Sequence, residues 1–253
     1  MTTGNRIKLT ANLYLRNHHD RFELFRESKY NRSGNYFADG TDTAKYVPGV
    51  FAAWNYYPGH NYHLTHTYGG EAKVNFDSKL GRTALGTEYR YEQIFSNVLG
   101  DNLDEPIDVP GEMFGKFTKS KIRNNIDFYI EHVVKIKKFV VSAGYSANYN
   151  HQFDWNFSGG ADLTCQLSKN FQTFASANQS VRLPTYTDLY YAGPTNVGNP
   201  DLKPETAVTF EGGTKIFYSG FSGQISIFER LGKNTIDWVK INQTDKWQSQ
   251  CAL

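Results

Sequence analysis

Cysteine is scarce in this sequence, net charge is almost nil and no long apolar run occurs, and each shortage removes a class of protein. Cys165 and Cys251 lack metal-ligand spacing, and one pair cannot frame a disulfide-stapled domain, so both are expected as isolated thiols. Twenty-seven Lys and Arg stand against 25 Asp and Glu, too even a balance to hold a polyanion, so no nucleic-acid partner is expected. Nothing approaches the ~20 consecutive apolar residues of a membrane-spanning helix, which leaves any membrane role to strands or a surface anchor. In the stretch 1–16 apolar residues alternate with Lys8, Thr10 and Asn12 instead of forming the continuous core of an export signal. Hydrophobic residues make up 39% of 253 positions, too little apolar material for two well-buried cores.

What the chain has in quantity is aromatic rings and glycine. Its 17 Tyr, 18 Phe and 22 Gly favour strands and amphipathic interfaces over helices. A period of two then recurs along the chain. In 121–134, Ile122, Ile126, Phe128, Ile130 and Val134 share one parity, while Lys121, Arg123, Asn125, Asp127 and Glu131 share the other. The same rule holds for 139–149 and 155–167, and further strands are predicted at 7–15, 62–76, 82–95, 171–181, 206–217, 221–231 and 235–241. The parity slips between Leu15 and Phe22, which predicts a bulge near residues 18–21.

Short connections at 77–81, 135–138, 168–170 and 219–220 largely alternate with long ones at 26–61, 96–120 and 183–205. That alternation belongs to an all-β, antiparallel up-and-down transmembrane barrel, with tight periplasmic turns, long outer loops, apolar residues toward lipid and polar residues toward the lumen. Tyr62, Tyr89, Tyr91, Tyr145, Tyr149 and Trp155 would suit its aromatic girdles. A soluble β-sandwich or soluble barrel has the same period with the apolar face inward. Strands of roughly 11–15 residues, against a soluble mode of about 5–6, and a heavily charged polar parity favour the membrane.

The region after 171–181 carries the most specific signal. Arg182-Leu183-Pro184 leads to Asp188-Leu189-Tyr190, then Gly198-Asn199-Pro200-Asp201-Leu202-Lys203-Pro204-Glu205, and the next strand holds Glu211-Gly212-Gly213. This order and separation resemble the barrel signature of TonB-dependent receptors. Physically, Pro184, Pro200 and Pro204 cannot donate a backbone hydrogen bond and suit a loop that leaves one strand and re-enters the next. Arg182, Asp188, Lys203 and Glu205 are expected as an ion-pair and hydrogen-bond set holding that crossing, with Asn199 and Leu202 structural members of the same motif.

The resemblance implies a partial barrel, about ten strands of 22, over the whole of 1–253, with the plug domain, export signal, TonB-contacting segment and closing strands outside the chain. Cys251-Ala252-Leu253 is not the terminal aromatic ending such barrels use. The family setting implies the Gram-negative outer membrane, contact with its lipid, a TonB complex acting through the plug, a small-molecule nutrient as cargo and room for a surface lipoprotein partner. No catalytic residue and no cofactor are expected.

Three stretches, 17–26, 59–63 and 92–100, resemble the vitamin B12 receptors of Bacteroidetes. That likeness implies a cobalamin or related corrinoid held at the extracellular face, with Tyr57, Tyr62, His63 and Tyr190 as ligand-binding residues. Within the family a ferric-siderophore or haem receptor is the alternative. From another class, a soluble carbohydrate-binding β-domain would also use exposed Tyr and Trp. A porin would lack the Arg-x-Pro to Pro-Glu segment, and no Ser or Cys sits in the setting an enzyme nucleophile needs. His60, His63 and His66 do not make a metal site on a strand, because His63 and His66 fall on opposite parities. Asp101, Asp104, Glu105 and Asp108 read as a solvated acidic loop, since their spacing fits no calcium-loop template.

Overall fold

The computed structural model describes residues 7–22, 30–33, 36–39, 60–112, 115–193 and 195–252. Period-two patterning becomes strand nearly everywhere. In chain order these are β1 (Ile7–Phe22), β2 (Tyr30–Ser33), β3 (Tyr36–Asp39), β4 (Asn61–Ser78), β5 (Gly81–Ser96), β6 (Asp101–Asp108), β7 (Lys116–Ile136), β8 (Phe139–Asn150), β9 (Asp154–Gln166) and β10 (Phe171–Arg182). One helical turn, α1 (Tyr186–Tyr190), precedes β11 (Asn196–Val197), β12 (Glu205–Tyr218), β13 (Phe221–Lys233), β14 (Thr235–Val239) and β15 (Trp247–Ala252). The main sheet runs β1-β4-β5-β7-β8-β9-β10-β12-β13, every neighbour antiparallel, with β6 added beside β7. It is an up-and-down barrel wall whose outer edges, on β1 and β13, are unpaired among the described residues.

The two faces divide by parity. Phe128 and Ile130 are 49% and 47% exposed on the apolar face, and aromatic rings gather there: Trp155 is stacked with Phe128 and Phe157 and tilted against Tyr149, and Tyr68 stacks on Tyr91 with centroids 4.5 Å apart. On the polar face side chains reach across intervening strands. Tyr129 of β7 passes over β5 to donate to Glu71 of β4 at 2.8 Å, and Tyr14 of β1 passes over β4 to Glu88 of β5. Both rings need a residue without Cβ beneath them. A Cβ on Gly86 would sit 2.2 Å from the Tyr129 ring, and one on Gly69 would sit 2.6 Å from the Tyr14 hydroxyl. Glycine ordinarily weakens a strand interior; here its absent side chain is the space in which the tyrosines lie. Convergence of side chains two strands apart marks the concave, lumen face.

Several expectations are corrected. The bulge near residues 18–21 is absent, because β1 pairs with β4 without a register shift from Ile7↔Phe76 to Phe22↔Asn61. The parity slip between Leu15 and Phe22 falls inside one continuous strand, so Phe22 lies on the face opposite Leu15.

The segment 235–241, expected as a further barrel strand, instead supplies β14 to a separate sheet of order β11-β15-β14. Asn234, with φ of 57°, turns the chain away after β13, and the Ile236 amide binds the Glu205 carboxylate. The acidic loop is also a strand. β6 pairs with β7 on the side that β8 vacates above Asn125↔Asn150, with a bulge spanning Pro106, which has no amide proton to give the ladder. Asp101 pairs with Lys121 at 2.7 Å and Asp108 with Lys116. Cys165 and Cys251 are free thiols.

Candidate extracellular binding rim

Between β10 and β12 the chain folds inward over the short β8–β9 connection, residues 151–153, and docks on the lumen side of β5 and β7. The crossing begins with Thr185, whose hydroxyl accepts from the Asp188 amide at 3.1 Å while the Asp188 carboxylate accepts from the Thr185 amide at 2.9 Å. This reciprocal capping box stabilises the single turn of α1. Arg182 forms a bidentate pair with Glu205, at 2.6 and 3.0 Å, at the register position where β10 and β12 meet, and lies 3.6 Å from Asp188. One guanidinium therefore closes the base of the loop and touches its helix cap. Lys203, expected in the same set, is exposed and makes no ion pair among the described residues.

The second half of the motif shapes the return. Asn199 donates its amide to the Asp188 carbonyl at 2.9 Å and accepts the Asp201 amide on its side chain, turning the chain at Pro200. Gly198 passes so close to α1 that a Cβ would meet the Tyr190 amide nitrogen at 2.7 Å. Leu202 is buried, and the Pro204 carbonyl accepts from Asn234 at 3.3 Å.

Docking itself rests on residues that sequence reading placed only on the lumen parity. Arg123, 8% exposed, donates to the Pro184 carbonyl at 3.0 Å and stacks on Tyr186, its guanidinium carbon 4.5 Å from the ring centre. Lys121 holds its ammonium 4.9 Å over the Tyr190 ring, and the Tyr190 hydroxyl accepts from Gln152 at 2.6 Å. Tyr186 and Tyr191 also pack against the apolar cluster of Ile94, Val98 and Leu99 at the end of β5. Burial pushes the Tyr186 hydroxyl well above the ordinary phenol range, so it stays neutral beside Arg123. Beneath this contact Asn150 donates to Asn125 at 2.8 Å, both buried, and its carbonyl oxygen caps the 151–153 turn.

The expected ligand residues are only partly brought together. His63 lies on the lumen parity with Nδ1 2.9 Å from the Ser96 hydroxyl, and half-buried Tyr190 stands on the same side. Tyr62 faces the other way. It is 5% exposed in a cluster with Val109 and Phe117 and donates to Glu112 at 3.3 Å. Adjacent residues of a strand point oppositely, so Tyr62 and His63 lie on different faces of β4. Tyr57 lies outside the described residues.

Arg123 and Lys121 are invisible as docking residues in the sequence, since nothing local links them to a loop some 60 positions away. Arg123→Ala should release the loop by about 2 kcal/mol, the loss of a desolvated cation–π contact. Limited proteolysis of a complete receptor should then cut faster within 183–204 while heat-modifiable mobility of the barrel is kept; an unchanged cutting rate would mean that Arg123 does not hold the loop.

The rim offers stacked rings, fixed cations and hydrogen-bond donors on a rigid base, an arrangement suited to binding. Solved structures share this architecture. The ferric enterobactin receptor from Pseudomonas aeruginosa, a Q482A mutant in complex with enterobactin, superposes with a TM-score of 0.60 at 18% identity over 76% of this chain and 32% of its own. The siderophore receptor PirA from Pseudomonas aeruginosa gives 0.58 at 16% identity, covering 76% and 35%, and the copper transporter OprC gives 0.61 at 12% identity, covering 76% and 33%. The chain thus spans about a third of the length of these structures. Residues 2–250 match the family described as TonB dependent receptor-like, beta-barrel: the chain belongs to the TonB-dependent receptor-like β-barrel family.

Proposed function

We propose that this chain forms part of the wall of an outer-membrane receptor that imports a scarce nutrient with TonB acting through a plug domain, and that the nutrient is a corrinoid. The family match over 2–250 carries the receptor reading. The corrinoid reading is supported by the residues of 17–26, 59–63 and 92–100 and by a rim whose tyrosine faces suit a broad, flat, amide-rimmed ring. His63 and Tyr190 are the members of the expected set that face the lumen side; surface-lipoprotein partnership and contact with outer-membrane lipid belong to the same proposal.

A ferric siderophore is the second reading, favoured by the enterobactin-bound receptor among the structural neighbours, although likeness at 12–18% identity carries fold alone. Equilibrium binding of cyanocobalamin and of ferric enterobactin to a complete receptor carrying this segment separates the two. Corrinoid binding that weakens at least tenfold in Tyr190→Ala is the expected result. Tight iron-chelate binding with none for corrinoid would overturn it.

A further inference from the structure

We infer that the rim opposite the crossing loop is a docking surface for anionic phospholipid headgroups of the periplasmic leaflet. Three successive tight turns on that rim carry exposed lysines: Lys79 between β4 and β5, Lys137 and Lys138 between β7 and β8, and Lys169 between β9 and β10. None of the four has an ion pair or side-chain hydrogen bond among the described residues. The acid at the first turn, Asp77, pairs with Arg82 at 2.7 Å.

The lysines form a row. With strands about 4.8 Å apart, turns two strands apart stand about 10 Å from one another. Contacts tie neighbouring turns to the adjoining strands: the His132 side-chain Nε2 lies 3.2 Å from the Leu80 carbonyl oxygen, and the Gln166 backbone amide donates to the Lys138 carbonyl at 2.8 Å. Lys137 occupies a left-handed position, φ 54°, where backbone preference alone would favour Gly or Asn. A cation stands there against conformational preference.

The chemistry beside each lysine selects a lipid over a soluble anion. Leu80, Ile136, Phe139, Leu167 and Phe171 are exposed at the same turns, so the occupant must offer hydrocarbon and negative charge in one plane. Lysine stems can lie along that hydrocarbon with the ammonium at phosphate level. The turn between β12 and β13 is a built-in contrast, with exposed Phe217, Tyr218 and Phe221 around Ser219-Gly220 and no lysine in the turn. The surface is therefore confined to the β4–β10 part of the rim. It depends on the orientation of the strands and is independent of which nutrient is bound.

The test uses a complete receptor reconstituted in phosphatidylcholine vesicles with traces of spin-labelled phosphatidylglycerol or phosphatidylcholine. Each lysine at an anionic surface strengthens association about fivefold, so motionally restricted phosphatidylglycerol should exceed phosphatidylcholine several-fold. The preference should fall to parity in the quadruple variant K79Q/K137Q/K138Q/K169Q and in about 1 M salt, where the screening length is near 3 Å. The corresponding quadruple arginine variant, which keeps the charge, should retain it, and heat-modifiable mobility shows that each variant is folded. Equal association of both lipids with the unsubstituted receptor, or a preference that survives the glutamine variant, would overturn the inference. Displacement by millimolar glycerol phosphate would do the same, because it would make the site one for a soluble anion.

Discussion

Residues 1–253 produced alone in detergent micelles should give no protease-resistant monomer. Within the described residues the sheet ends at β1, 16 residues long, and β13, 13 residues long, and each leaves one row of backbone groups without partners. In hydrocarbon every unsatisfied N–H or C=O costs several kcal/mol, so a handful already exceeds the ~5–15 kcal/mol by which whole domains are stable. The two faces compound the problem. The apolar face seeks lipid, whereas the row of Glu71, Glu88 and Asp127, adjacent in register across β4, β5 and β7, seeks water or a polar domain. Supplying strands that pair with the β1 and β13 edges should give a heat-modifiable species. A compact, protease-resistant monomer from 1–253 alone would refute the expectation, and with it the open-edged sheet.

Phe128→Arg should destabilise a complete receptor by about 2–4 kcal/mol, as expected for a cation near the bilayer midplane on the lipid face. Phe128 is the position for this test because its register neighbours Thr87 and Ala147 lie deep within β5 and β8, and its ring packs 6.5 Å from Trp155 on the exposed apolar face. The same charge at Ser146, on the polar face opposite Tyr129, should cost far less, since that side chain looks into the lumen beside Ser158. Equilibrium unfolding in urea from lipid vesicles reads both. Equal costs at the two positions would mean that the parity assignment of the faces is wrong.

Strand existence, face and order were open to inference from sequence because they depend on local alternation. A side chain at i and one at i+2 share a face whatever the rest of the chain does, so Ile126, Phe128 and Ile130 separate from Asp127 and Glu131 without tertiary information. Short turns force their flanking strands to be antiparallel neighbours, so 135–138 and 168–170 imply the pairing of β7 with β8 and β9 with β10. The proline and glycine positions of 182–205 mark a crossing loop for the same local reason.

The long connections were not readable in this way. Asp101, Asp104, Glu105 and Asp108 read as a loop in sequence and are exposed as expected, yet β6 forms because β7 rises beyond the end of β8 and presents a free edge, with Lys116 and Lys121 there to meet Asp108 and Asp101. Tyr62 looks like a rim aromatic, and only the arrival of Val109 and Phe117 from distant sequence buries it.

By itself, the sequence determined a sheet of alternating strands, its two faces and its turn-linked neighbours, because periodicity and turn chemistry act over a few residues. Only the tertiary structure decided where the crossing loop docks, that Arg123 and Lys121 receive it, that Gly69 and Gly86 are spaces for Tyr14 and Tyr129, and that 235–239 leaves the wall. Those outcomes join residues roughly 30 to 70 positions apart. Which of them meet is set by strand register and loop path together, and neither is encoded in a local pattern.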